Sequence, residues 1–109
     1  MKLEICIQEL EFTFVNEASL DKNVENVYIG DLLSMVMRKA NEDSLWLTVQ
    51  THVNAIAVAE MLDFAAIVFV EGLWPDEDAI TKANDLNIPL FVSQDDAYIL
   101  AKKLAQKGI

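Results

Sequence analysis

The stretch LWLTVQTHVNAIAVAEMLDFAAIVFV, Leu45 to Val70, decides the fold. LWLTV is a run of β-forming residues and reads as a strand. HVNAIAVAEML, His52 to Leu62, has helical length and is apolar on nearly every side, which predicts a deeply buried helix. AAIVFV, Ala65 to Val70, is a continuous apolar run of the kind found inside parallel sheets, where both faces are covered. Strand, helix and strand in that order make a crossover unit, which joins parallel neighbours.

The pattern continues downstream. Pro75 fits the first turn of a further helix, and Asp76, Glu77 and Asp78 load its positive end. IPLFVS, Ile88 to Ser93, is a third strand, with Ser93 as the expected cap of a last helix that ends at Gly108. Upstream, Gly30-Asp31 opens a helix with Asp31 as its cap. Leu32, Leu33, Met35, Val36 and Met37 form its apolar face, and Arg38 and Lys39 suit the negative end of its dipole. Core filling is the common use of Met35 and Met37, and an adaptable interface is the other. VYI, Val27 to Ile29, is a brief strand, and EFTFV, Glu11 to Val15, another. The start is ambiguous: Leu3, Ile5 and Ile7 alternate as in a strand, while Leu3, Cys6, Ile7 and Leu10 fit one helical face. The fold class is therefore α/β, a three-layer α/β/α arrangement on a mostly parallel, mixed sheet. The length of 109 residues fits one domain, 1–109.

Charge excludes some functions. Eight basic against 18 acidic residues give a net charge of -10. A field of that sign repels phosphate backbones and anionic lipid, so no nucleic-acid or membrane partner is expected. The single cysteine, Cys6, excludes an internal disulfide and reads as a small buried apolar residue in a reducing, cytoplasmic setting. Glu4 and Glu9 exclude a secretory signal at the start. Asn54, Glu60 and Asp63 interrupt the most apolar region and exclude a spanning helix there.

Ligands of open α/β sheets gather beyond the carboxyl ends of the strands. Three polar patches fall there: Gln50, Thr51, His52 and Asn54; Glu71 and Gly72, with Trp74 beside them; and Ser93, Gln94 and Asp95, with Asp96 following. The first two sets and Ser93 to Asp95 are the candidate ligand-binding residues. His52, the only histidine, reads most simply as the start of its helix, with Thr51 or Gln50 as the cap. A ligand contact is the alternative. Catalysis has least support, because no serine or cysteine nucleophile is identifiable as its partner. No catalytic residue is assigned. Trp74 either packs at the core edge or stacks on a base or partner. No Gly-rich phosphate loop follows any strand. One His and one Cys give no zinc spacing, and the helix dipole accounts for Asp76-Glu77-Asp78, so neither a metal nor a cofactor is expected.

GDLLSMVM (Gly30 to Met37), LWLTVQTHVNAIAVAE (Leu45 to Glu60) and AAIVFVEGLWPDEDAITKANDLNIPLFVS (Ala65 to Ser93) resemble the DRTGG-domain family, from Asp21 to the end of the chain. The resemblance implies a fold like the N-terminal domain of HPr kinase and turns the ambiguous start into a helix followed by a strand. Such domains accompany CBS domains in regulated pyrophosphatases, and stand-alone versions occur near iron-hydrogenase genes. The implied role is regulatory or oligomer-forming, linked to energy metabolism. No Asp-Arg-Thr-Gly-Gly string is present; the nearest echoes are DKNVEN and FVEG. What carries over is the fold and the corner Gln50 to Asn54.

The functional expectation is a non-catalytic regulatory domain. It senses a small polar ligand or nucleotide, forms a homodimer or meets a protein partner. The mean hydropathy of +0.24 in a chain with 24% charged residues motivates the homodimer. Two alternatives stand beside it. One is a small enzyme using His52 with Asp95 or Glu71 as its acid/base partner. The other is a degenerate scaffold with no ligand.

Overall fold

A computed structural model describes all 109 residues. The elements are α1 (Leu3–Ile7), β1 (Phe12–Phe14), β2 (Asn26–Ile29), α2 (Leu33–Lys39), β3 (Ser44–Thr48), α3 (Val53–Met61), β4 (Ala66–Phe69), α4 (Glu77–Asp85), β5 (Leu90–Ser93) and α5 (Ala97–Gln106). They form one five-stranded sheet in the order β1-β5-β4-β3-β2. Strands β2 to β5 are parallel, and β1 runs antiparallel along β5. The expected three-layer α/β/α fold with a mixed sheet is the one observed.

The order explains the layers. From β2 to β5 the sheet grows in one direction, and crossovers of one hand then place every connecting helix on one face. Helices α2, α3 and α4 accordingly pack side by side. Their core joins Val36, Ile56 and Ala79 to Trp46, Ile67, Phe69, Leu90 and Val92. The other face is left to the two terminal helices. There Leu3, Cys6, Leu100 and Leu104 cover Leu45, Leu47, Val68 and Phe91. The alternation along β3 shows why its sequence has no polar face: Trp46 points to one layer, Leu45 and Leu47 to the other, and all five residues are buried. Trp46 donates its indole N–H to Gly30 O at 2.8 Å and meets Phe64 edge-on, so its polar atom is satisfied within the core. Truncating such a residue costs roughly 3–5 kcal/mol.

Several local readings are corrected. The start is a helix, as the resemblance implied. Asp31 does not cap α2. That helix begins later, its N-cap position is Leu32, and no side chain caps it. Asp31 turns instead toward the neighbouring strand. Ser93 is the last residue of β5, and Asp96 caps α5 by accepting from Ile99 N–H at 2.9 Å. Pro75 lies before α4, whose N-cap position is Asp76. Helix α3 is not buried all round: Ala55, Ile56, Val58 and Ala59 are buried, while Ala57 and Met61 face solvent. Met35 and Met37 do not fill the core and stay exposed. No helix is long and apolar enough to cross a membrane.

Candidate functional site

Parallel strands deliver their carboxyl ends to one edge, so the three polar patches meet there. Backbone bonds stitch them together. Glu71 N–H donates to Asp95 O and Gly72 N–H to Ser93 O, both at 2.8 Å, which joins the tips of β4 and β5. Asp76 N–H donates to Thr51 O at 3.0 Å, which joins the first corner to the start of α4. Glu71 and Gly72 are consecutive left-handed residues, with φ of 60° and 70°. Two such residues in a row turn the chain sharply away from β4. A Cβ on Gly72 would lie 2.6 Å from Gln94 Oε1, so the bare backbone there lets Gln94 lie across the turn.

The first corner is built around a residue missing from the sequence-derived set. Asp31 leaves β2 and reaches sideways. Its Oδ1 accepts from Thr48 Oγ1 and from Val49 N–H, each at 2.9 Å. Gln50 Nε2 donates to Asp31 O at 2.6 Å, and Gln50 N–H to Thr48 Oγ1 at 3.1 Å. Gln50 is therefore half-buried and fixed by the chain itself. His52 occupies the N-cap position of α3 and accepts from Asn54 N–H through Nδ1 at 3.2 Å. The ring caps its own helix, and neither Thr51 nor Gln50 does so. An accepting Nδ1 carries no proton, so the proton of the neutral ring is on Nε2. That nitrogen is on an exposed residue at the sheet edge.

The enzyme alternative needs a carboxylate oriented on this ring. Asp95 is committed elsewhere: its Oδ2 pairs with Lys103 Nζ at 2.7 Å, and its N–H donates to Ser93 Oγ at 3.2 Å. Ser93 is buried and holds this turn. Glu71, Asn54 and Gln94 are exposed side chains at the edge. Trp74 is 55% exposed and Leu73 42%, so the Trp74 side chain is largely open to solvent rather than packed at the core edge.

The edge has no deep pocket, and topology explains this. Crevices open where strand order reverses, sending neighbouring crossovers to opposite faces. Here the order from β2 to β5 never reverses. The two clefts of the molecule lie elsewhere. One of about 310 Å³ is lined by Lys22, Asn23, Glu42, Asp43 and Asp63, near the opposite ends of the strands. One of about 380 Å³ lies between Gln8, Glu9 and Leu10 and the end of α5. No group of three His, Cys, Asp or Glu side chains is arranged to hold a metal ion.

Asp31 was findable by the rule that found the rest, since it directly follows a strand at the same edge. Lys103 had no local signal, because it reaches Asp95 from eight residues along the chain.

The fold has a solved counterpart. The chain is similar to the CBS and DRTGG domains of the regulatory region of Clostridium perfringens pyrophosphatase, solved in complex with the activator diadenosine tetraphosphate. The TM-score is 0.72 at 15% identity, over 97% of this chain and 46% of that one. This chain thus spans less than half of its counterpart's length. The likeness is one of fold, and it supports a DRTGG-like fold. No protein-family model and no curated protein matches the sequence.

Proposed function

We propose that the protein is a non-catalytic regulatory domain that binds a small polar ligand of the nucleotide class at the carboxyl edge of its sheet and works as a homodimer. The observation that carries this reading is how the edge spends its chemistry. His52 caps a helix and Asp95 pairs with a lysine, so two of the three groups of the acid/base alternative are structural and only the exposed Glu71 carboxylate is left to it. What remains open to solvent is suited to contact: the exposed His52, Asn54 and Gln94 side chains and the ring of Trp74. Exposed aromatic rings stack on bases, a sequence-tolerant contact worth about 1–3 kcal/mol per base in single-strand binders.

Charge narrows the ligand. Asp31, Glu71, Asp76 and Asp96 are exposed around this edge, and its Lys103 is already paired. Bare polyphosphate is disfavoured, so a nucleotide binds through its base and sugar or with Mg²⁺ screening its phosphates. The pyrophosphatase regulatory region, 46% of which this chain matches, was solved with the activator diadenosine tetraphosphate, which supports the nucleotide class.

A thermal-shift screen against nucleosides and nucleotides, with and without Mg²⁺, tests the reading. Ligand binding to the native state raises the melting temperature by mass action. A rise of several degrees with one compound, lost in Trp74→Ala, is expected. No rise with any compound would favour the scaffold alternative, and steady consumption of a nucleotide would favour the enzyme.

A further inference from the structure

Five residues other than glycine are left-handed: Glu9, Asp43, Asp63, Glu71 and Asn87. Glu9, Asp63 and Asn87 each come directly after the C-cap position of a helix, where a left-handed residue closes the last turn. Asp43 lies in the short turn between α2 and β3. Glu71 alone stands at the carboxyl end of a strand, β4. Glycine adopts this conformation at less cost, and glycine is used at the very next position. The Glu71 side chain is exposed and takes part in neither ion pair of the chain, so the fold does not account for it.

The other carboxylates of this edge are accounted for. Asp31 holds Thr48 and Val49, Asp95 pairs with Lys103, and Asp96 caps α5. Asp76 stands with Glu77 and Asp78 at the positive end of α4. Next to Glu71, the terminal amide of Gln94 lies over Gly72: its Oε1 is 2.6 Å and its Nε2 3.2 Å from the place a Cβ would take. An exposed carboxylate and an exposed amide thus belong to one turn, and the open ring of Trp74 follows three residues on.

The chemistry of that set is selective. A carboxylate accepts hydrogen bonds from neighbouring hydroxyls and repels phosphate, and a side-chain amide both donates and accepts. In dinucleotide-binding α/β folds an acidic side chain takes the ribose 2′-hydroxyl in this way. We infer that Glu71 recognises the sugar: its carboxylate accepts from the vicinal 2′- and 3′-hydroxyls of a ribonucleoside, the Gln94 amide bonds the same sugar, and the base stacks on Trp74. The ligand is a ribonucleoside or ribonucleotide rather than its deoxy counterpart, with any phosphate directed away from the edge. This rests on the ligand-binding reading above and names the group that sets its specificity.

Calorimetric titration of the full chain with adenosine, guanosine, cytidine and uridine, their 2′-deoxy counterparts and their 5′-monophosphates tests it. Glu71→Gln and Glu71→Gly are the variants, and the second keeps the left-handed turn without a side chain. At least one ribonucleoside is expected to bind about tenfold or more tighter than its deoxy form. That preference is weakened in Glu71→Gln and lost in Glu71→Gly, which melts no lower than wild type by circular dichroism. Equal binding of ribo and deoxy forms, a preference that survives Glu71→Gly, or binding of the monophosphates alone would overturn the inference and leave the nucleotide reading in place. A Glu71→Gly chain that melts well below wild type would overturn it too, by giving the side chain a structural role. No binding of any of these compounds, with or without Mg²⁺, would overturn the nucleotide reading and the inference with it.

Discussion

Thr48 donates its hydroxyl hydrogen to Asp31 Oδ1 at 2.9 Å, and this bond ties the tip of β3 to the turn that leaves β2. The same oxygen accepts from Val49 N–H. One carboxylate therefore holds the approach to the Gln50–Asn54 corner, where two neighbouring strands end.

Asp31→Ala removes both bonds and leaves the buried Thr48 hydroxyl without that acceptor. A loss of about 1–2 kcal/mol is expected, read as a lower melting temperature. Asp31→Asn keeps an acceptor at the same position and loses less. Equal losses in the two variants would show that the carboxylate charge, rather than the acceptor geometry, holds the corner.

His52→Ala deletes the cap of α3 and costs about 0.5–2 kcal/mol, whereas His52→Asn or His52→Asp retains a capping side chain and most of the stability. The same variants separate capping from contact. If Nε2 contacts the ligand, His52→Asn stays folded and stable yet binds more weakly. A stable His52→Asn with wild-type binding would confine the ring to its structural role.

Gly72 sits at φ of 70° with Gln94 against it. Gly72→Ala carries the left-handed cost of about 1–2 kcal/mol and pushes the flexible end of Gln94 aside. Reduced stability with a displaced Gln94 is expected. Pairing it with Gln94→Ala relieves the contact and leaves the backbone cost, which a double-mutant cycle measures.

Burial pushes the Cys6 thiol above its ordinary value of 9.0, an effect partly offset by the amino terminus and by Lys107. The folded chain keeps its proton longer than the unfolded one. The thiol's contribution is therefore complete below 9.0 and is lost as pH rises past it. Cys6→Ser removes this alkaline decline, seen by denaturant titration across that range. In the native protein, alkylation is slow at neutral pH and accelerates when denaturant opens the core.

The parts legible in the sequence are those where one environment acts on a whole segment. Ala65 to Val70 is apolar throughout because β4 is covered on both faces, and no other element has that signature at that length. The three patches could be assigned to one edge because a parallel sheet leaves them no other place. What misled was local chemistry with two uses. Asp31 has the right residue type for a helix cap, yet its carboxylate is satisfied across the sheet by Thr48, a partner invisible from spacing. Ser93 likewise closes a strand while Asp96 caps α5. Met35 and Met37 look like core by type, but α2 lies at the border of its layer, where half a helix has nothing to cover it.

The most direct test of the ligand reading is a titration of backbone amide signals by NMR with adenine nucleotides, with and without Mg²⁺. Shifts gathered at Gln50 to Asn54, Glu71 to Trp74 and Ser93 to Asp95 are expected, with the nucleotide recovered unchanged. Shifts gathered in the cleft of Lys22, Asp43 and Asp63, or no shift with any nucleotide, would contradict it.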